Sequence, residues 1–98
     1  MARFDVIKTK SDGLVLDCQS DFLAYLRTRF VVPLLPPELE PKVAERLNPV
    51  FVIEGRNYVL YPQFAASMSV RELGPMVTSL VDEHSRIMDA LDMLMIGY

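Results

Sequence analysis

The spacing of apolar residues changes once along this chain, at Val77, from a period near two to a period near 3.6. Before that point, short alternating or continuous apolar runs are separated by turn signals, the pattern of strands. After it, Leu80, His84, Ile87, Leu91 and Leu94 fall on one helical face, with Asp82, Glu83, Arg86, Asp89 and Asp92 mostly off it. Strands first and one helix last predict a mainly β or α+β fold, a β-barrel rather than a parallel α/β sheet. At 98 residues the chain is one domain, 1–98.

The strand signals can be placed one by one. Phe4 and Val6 alternate with Asp5 and Lys8, which predicts a first strand; Ser11-Asp12-Gly13 turns it into a second, Leu14-Val15-Leu16-Asp17-Cys18. Arg29-Phe30-Val31-Val32-Pro33-Leu34-Leu35 is continuously apolar after its first residue, as in a strand covered on both faces. Pro33 there marks an edge, a bulge or a bend. Residues 38–47 read as a loop that packs Leu39 and Val43. Val50-Phe51-Val52-Ile53 and Asn57-Tyr58-Val59-Leu60-Tyr61 flank Glu54-Gly55-Arg56, the clearest hairpin, and residues 63–70 add one more short strand. Gly74-Pro75 precedes the helix, Thr78 or Ser79 caps it, and Gly97 ends it.

Residues of the AVILMFWYC set make up 51% of the chain, more apolar surface than so short a chain hides alone, and this points to a homodimer. Net charge is −3, and the Lys and Arg residues are scattered, so no direct contact with nucleic acid is expected. Arg3, Asp5, Lys8 and Lys10 break any amino-terminal signal core, and no apolar run reaches membrane-spanning length; the expectation is a cytoplasmic protein.

Catalytic and metal chemistry find little to work with. The one histidine, His84, sits on the apolar helical face and reads as a hydrogen-bonded structural residue. The one cysteine, Cys18, lies in a predicted strand and reads as a small buried hydrophobe. One His and one Cys do not make a zinc set, the helix carboxylates read as a solvated face, and four scattered glycines draw no phosphate-cradling loop. The expectation is no enzyme, no cofactor and no metal. The carboxyl end is more informative. Met93-Leu94-Met95-Ile96-Gly97-Tyr98 is apolar to the last residue, whereas most termini are polar and frayed. Such an end must be tucked into its own fold, paired across a dimer or presented to a partner.

Several stretches together match one family. Leu16-Asp17-Cys18-Gln19-Ser20-Asp21 resembles the V-D-V-Q-S-D segment of CcdB toxins, and Arg29-Phe30-Val31-Val32-Pro33-Leu34 resembles their R-x-V-I-P-L strand. Asn48-Pro49-Val50 fits the family's x-P-V strand start, and the ending from Ile87 to Tyr98 resembles its long carboxyl-terminal helix. The resemblance implies an SH3-like antiparallel β-barrel with a small extra sheet and that helix, although the short stretch 9–13 points to a reduced extra sheet. It implies a homodimeric toxin of a type II toxin–antitoxin system that binds the DNA gyrase A subunit and traps its cleaved-DNA complex. A partly disordered cognate antitoxin neutralises such toxins, and the pair represses its own operon, the antitoxin providing the DNA contacts. The family's gyrase-contacting residues, typically Trp-Gly-Ile, fall on Ile96, Gly97 and Tyr98, and Met93 joins them on the helix. Gly97 carries over; Ile96 stands in place of a large flat aromatic, and Tyr98 restores an aromatic one step on. Two alternatives stay open: an RNA-cleaving toxin of the MazF/Kid type, with Arg27, Arg29 and Arg56 supplying charge, and a non-toxic relic that retains only antitoxin binding.

Overall fold

Each strong turn signal closes a hairpin in the computed structural model, which describes residues 1–97. Ser11-Asp12-Gly13 joins β1 (Asp5–Thr9) to β2 (Leu14–Asp17). Thr9 locks that turn, its Oγ1 accepting from the Gly13 N–H at 3.0 Å. β3 (Thr28–Leu35) follows, then the hairpin of β4 (Val50–Ile53) and β5 (Arg56–Leu60). Glu54 and Gly55 both have positive φ, 51° and 77°, the backbone of a two-residue turn matched to strand twist. β6 (Ala66–Ser69), β7 (Leu73–Ser79) and α1 (His84–Ile96) complete the chain.

The strands form one antiparallel sheet in the order β4-β5-β3-β2-β1-β7, curled into a half-barrel, with β6 on the free part of β3. The small extra sheet implied by the family resemblance is not a separate element among the described residues. The turn between β1 and β2 is too short to hold further strands.

β3 explains Pro33. One side of the strand pairs with β2 along Val31–Leu34; the other pairs with β6 along Thr28–Val31 and with β5 at Leu34 and Leu35. Pro33 sits at the changeover, where its carbonyl accepts from the Tyr61 N–H at 3.0 Å and no ladder donor is needed. Both faces of β3 are covered. Val32 and Leu34 join Phe4, Val6, Leu16, Phe51, Ile53, Leu60, Leu80, Ile87 and Ala90 in the main core. Val31 joins Ile7, Val15 and Leu73 on the opposite face.

Three expectations need correction. The helix begins at His84, not near Val77. Gly74 and Pro75 lie inside β7, at an irregularity of the β1–β7 register between Ile7 and Thr9, where an edge strand tolerates a missing donor. Neither Thr78 nor Ser79 caps the helix, whose N-cap is Glu83; Ser79 Oγ instead accepts from the Val81 N–H at 3.2 Å, just before the 3₁₀ turn Val81–Glu83. Second, the inward face of α1 is Ile87 and Ala90, flanked by Met88 and Leu91. His84 is exposed and sets its ring edge-on to Phe4 at 5.5 Å rather than making a buried hydrogen bond. Third, Leu39 and Val43 are 65% and 75% exposed. Polar contacts hold the 38–47 loop instead. Buried Asn48 accepts from the Val43 N–H at 2.9 Å and donates to the Leu60 carbonyl at 3.0 Å, while the Tyr61 hydroxyl donates to the Glu40 carbonyl.

Candidate functional site: the end of the helix and the loop beside it

Arg86 fixes α1 against β4: its guanidinium donates to the Val50 carbonyl at 2.8 Å and lies over the Phe51 ring at 4.5 Å. From there exposure rises along the helix. Met93 is half-buried, whereas Met95 is 78% and Ile96 63% exposed, with Leu94 also exposed. The backbone ends in order. Gly97 takes a left-handed φ of 81°, and its N–H donates to the Met93 carbonyl at 2.9 Å. A residue with a Cβ is disfavoured there by its own backbone, not by a neighbour, since nothing lies within 4 Å of an added Cβ. The structure therefore brings Met93, Ile96 and Gly97 together on one capped helix end. Tyr98 lies outside the described residues.

A second apolar group escaped the sequence reading. Phe22 in the 3₁₀ turn Asp21–Leu23 is 91% exposed, and Tyr25, Leu23 and Leu26 are exposed nearby in sequence. Their type and local spacing carry no sign of burial or exposure, because the loop has no regular period to read. Arg3 ties this turn to α1: its N–H donates to Asp21 Oδ1 at 2.9 Å, and its guanidinium reaches the Met88 sulfur at 3.2 Å.

The residues that mark the family hold this loop in place. Asp17 and Arg29 are both buried and paired, the guanidinium donating twice to Oδ2, at 2.6 and 3.0 Å. Asp17 Oδ1 accepts from the Gln19 N–H at 3.0 Å. The Gln19 side chain accepts from the Phe30 N–H and donates to the Leu23 carbonyl, both at 2.9 Å. Ser20 caps the 3₁₀ turn through the Phe22 N–H at 3.2 Å. The Q-S-D and R-x-V segments are thus one anchor, made where a buried charge needs its full set of partners.

Among the described residues no catalytic constellation forms around these groups. Cys18 is half-buried, and its thiol is pushed up to about 12 by burial and by the Asp17 carboxylate, so it is not a nucleophile near neutral pH. No group of three His, Cys, Asp or Glu side chains suited to a metal is found among the described residues. The three arginines weighed for RNA cleavage do not converge. Arg29 is buried against Asp17, Arg27 precedes β3, and Arg56 lines a recess with Pro36, Pro37 and Glu38 beyond the far end of that strand. Eight strand residues separate those ends by roughly 25 Å.

The family model for "CcdB protein" matches residues 3–97. The chain belongs to the CcdB family. This CcdB-family protein is accordingly a toxin of a toxin–antitoxin system. No curated protein matches its sequence at a significant level. Among solved structures, an endoribonuclease from mycobacterial species superposes with a TM-score of 0.75, covering 97% of this chain and 90% of its own, at 13% identity. At that identity the likeness shows the shared fold alone: a curled antiparallel sheet with one carboxyl-terminal helix. No helix of the toxin's described residues is long and apolar enough to cross a membrane.

Proposed function

We propose that this toxin acts by binding the DNA gyrase A subunit and trapping its cleaved-DNA complex, with Met93, Ile96, Gly97 and Tyr98 as the contact. The observation that carries this reading is the uncovered apolar last turn of α1, Leu94-Met95-Ile96, on a helix whose backbone is properly capped. An end that is ordered, apolar and exposed suits a partner surface better than it suits water. A homodimer would present two such ends, which suits a two-fold symmetric target. The cognate antitoxin would neutralise the toxin by laying an apolar segment over the dimer, and the complex would repress the operon. The toxin would turn nothing over.

The test is incubation of purified toxin with gyrase and supercoiled DNA. Protein-linked DNA breaks should accumulate with the wild type. They should vanish with Gly97→Arg or with deletion of residues 96–98, while the circular dichroism spectrum stays native. Breaks that persist with the truncated chain would overturn the site assignment.

A second reading draws on the endoribonuclease among the structural neighbours. It requires a basic cleft with an acid–base pair. The separation of Arg27, Arg29 and Arg56 weighs against such a cleft in this chain. Degradation of RNA by pure toxin would favour this reading over gyrase binding.

A further inference from the structure

We propose a second site on this toxin, an oxyanion pocket at the end of the β3–β6 ladder, formed by Arg27, Arg71 and Ser69 and suited to phosphate. The ladder sets the geometry. Thr28 pairs with Ser69, and the Val70 N–H donates to the Arg27 carbonyl at 3.0 Å, carrying the pairing one residue further. Arg27 and Arg71, distant in sequence, thereby line one open recess of about 560 Å³ together with Ser69 and Val70. No carboxylate of the described residues lines it. The ion pairs among the described residues use Lys8, Arg29, Lys42 and Arg86, which leaves the guanidinium groups of Arg27 and Arg71 without an acidic partner there.

The remaining donors fit the same ligand. Ser69 Oγ accepts from the Arg71 N–H at 3.2 Å, so its own O–H is free to donate outward. The Lys10 N–H donates to the Glu72 carbonyl at 2.9 Å, which holds the chain of a third cation next to Arg71. A single guanidinium fork satisfies a carboxylate; two forks and a hydroxyl match a group with more oxygens. That group is a single phosphate or the successive phosphates of a DNA strand. The chain's net negative charge does not exclude this local positive field: four acids lie in residues 82–92, and Glu72, which follows Arg71, does not line the recess. None of the pocket's residues belongs to α1, so the site stands or falls independently of gyrase binding.

The experiment follows the side-chain Nε–Hε resonances of ¹⁵N-labelled full-length toxin. Three probes are titrated at matched ionic strength: inorganic phosphate, a short DNA duplex of arbitrary sequence and poly-glutamate. Phosphate should shift the Arg27 and Arg71 signals together, and Arg27→Gln/Arg71→Gln should weaken its binding about tenfold per arginine. Arg27→Lys/Arg71→Lys should recover only part, since it restores charge without the fork. If backbone phosphate is the source, the duplex shifts the same signals, and its logarithmic salt dependence becomes shallower by about 2 in the glutamine variant. A phosphate response without a duplex response assigns the site to free phosphate. Absence of any shift with phosphate overturns the proposal. So does a response to poly-glutamate at lower concentration than to phosphate or DNA. Wild-type shifts decide these outcomes, whatever the variants' stability.

Discussion

The two halves of α1 both carry apolar side chains, the second half more of them, and have opposite fates. Ile87 and Ala90 close the main core, whereas Met95 and Ile96, two turns on, stay largely exposed. The same division recurs across Arg3 at the 20–27 loop: Asp17, Gln19 and Arg29 are buried as its anchor, and Phe22 stands out in solvent. Apolar character alone therefore does not identify core. What distinguishes the halves is whether their side chains reach the core: Ile87 and Ala90 join it, and Met95 and Ile96 do not.

The contrast can be tested by perturbing each side. The largest effect belongs to the buried anchor. Arg29→Met leaves the Asp17 carboxylate buried and unpaired, and urea unfolding should show a loss of about 3–5 kcal/mol. A loss below about 1 kcal/mol would mean that water reaches Asp17. Next, Ile87→Ala opens a cavity against Phe51 and Leu60 and should cost about 3 kcal/mol by the same measurement.

Cys18 packs beside that half of the helix and reports on it chemically. Its pKa is raised from 9.0 to about 12, so at mildly alkaline pH the folded protein holds roughly a thousandth of the thiolate that the unfolded chain holds. Alkylation in native buffer should be slower in that proportion. The unfolded thiol ionises first as pH rises, so stability falls from about pH 9 towards 12.

The exposed half should give smaller stability effects. Gly97→Ala forces a Cβ into the left-handed region and should cost about 1 kcal/mol, seen as fraying of the last turn in hydrogen exchange. Met95→Ser/Ile96→Ser should change stability by less than about 0.5 kcal/mol yet abolish toxicity on induced expression. If this pair instead destabilises the fold as Ile87→Ala does, the two halves are not different in kind.

Several features could be read directly. The Glu54-Gly55 hairpin, the Ser11-Asp12-Gly13 turn and the left-handed Gly97 cap follow from local backbone preferences, which act within a few residues. The double covering of β3 followed from its unbroken apolar run. The helix start was misread because Val77 and Leu80 match a helical period by chance. Val77 in fact sits in an edge strand and Leu80 in the connection after it, and both reach the core from there. Leu39 and Val43 were misread for a related reason: an apolar residue in a loop declares a preference, and only Asn48 and Tyr61 settle where that loop lies.

Taken alone, the order of residues determined the class of fold, the hairpins, the family and the apolar carboxyl end, since each is written in neighbouring residues or in a short repeat. The tertiary structure alone decided which apolar side chains stay uncovered, that Asp17 and Arg29 form a buried pair, and that Arg27 and Arg71 line one recess. These depend on pairings between distant segments. Sheet register and curvature set such pairings, and no local preference encodes them.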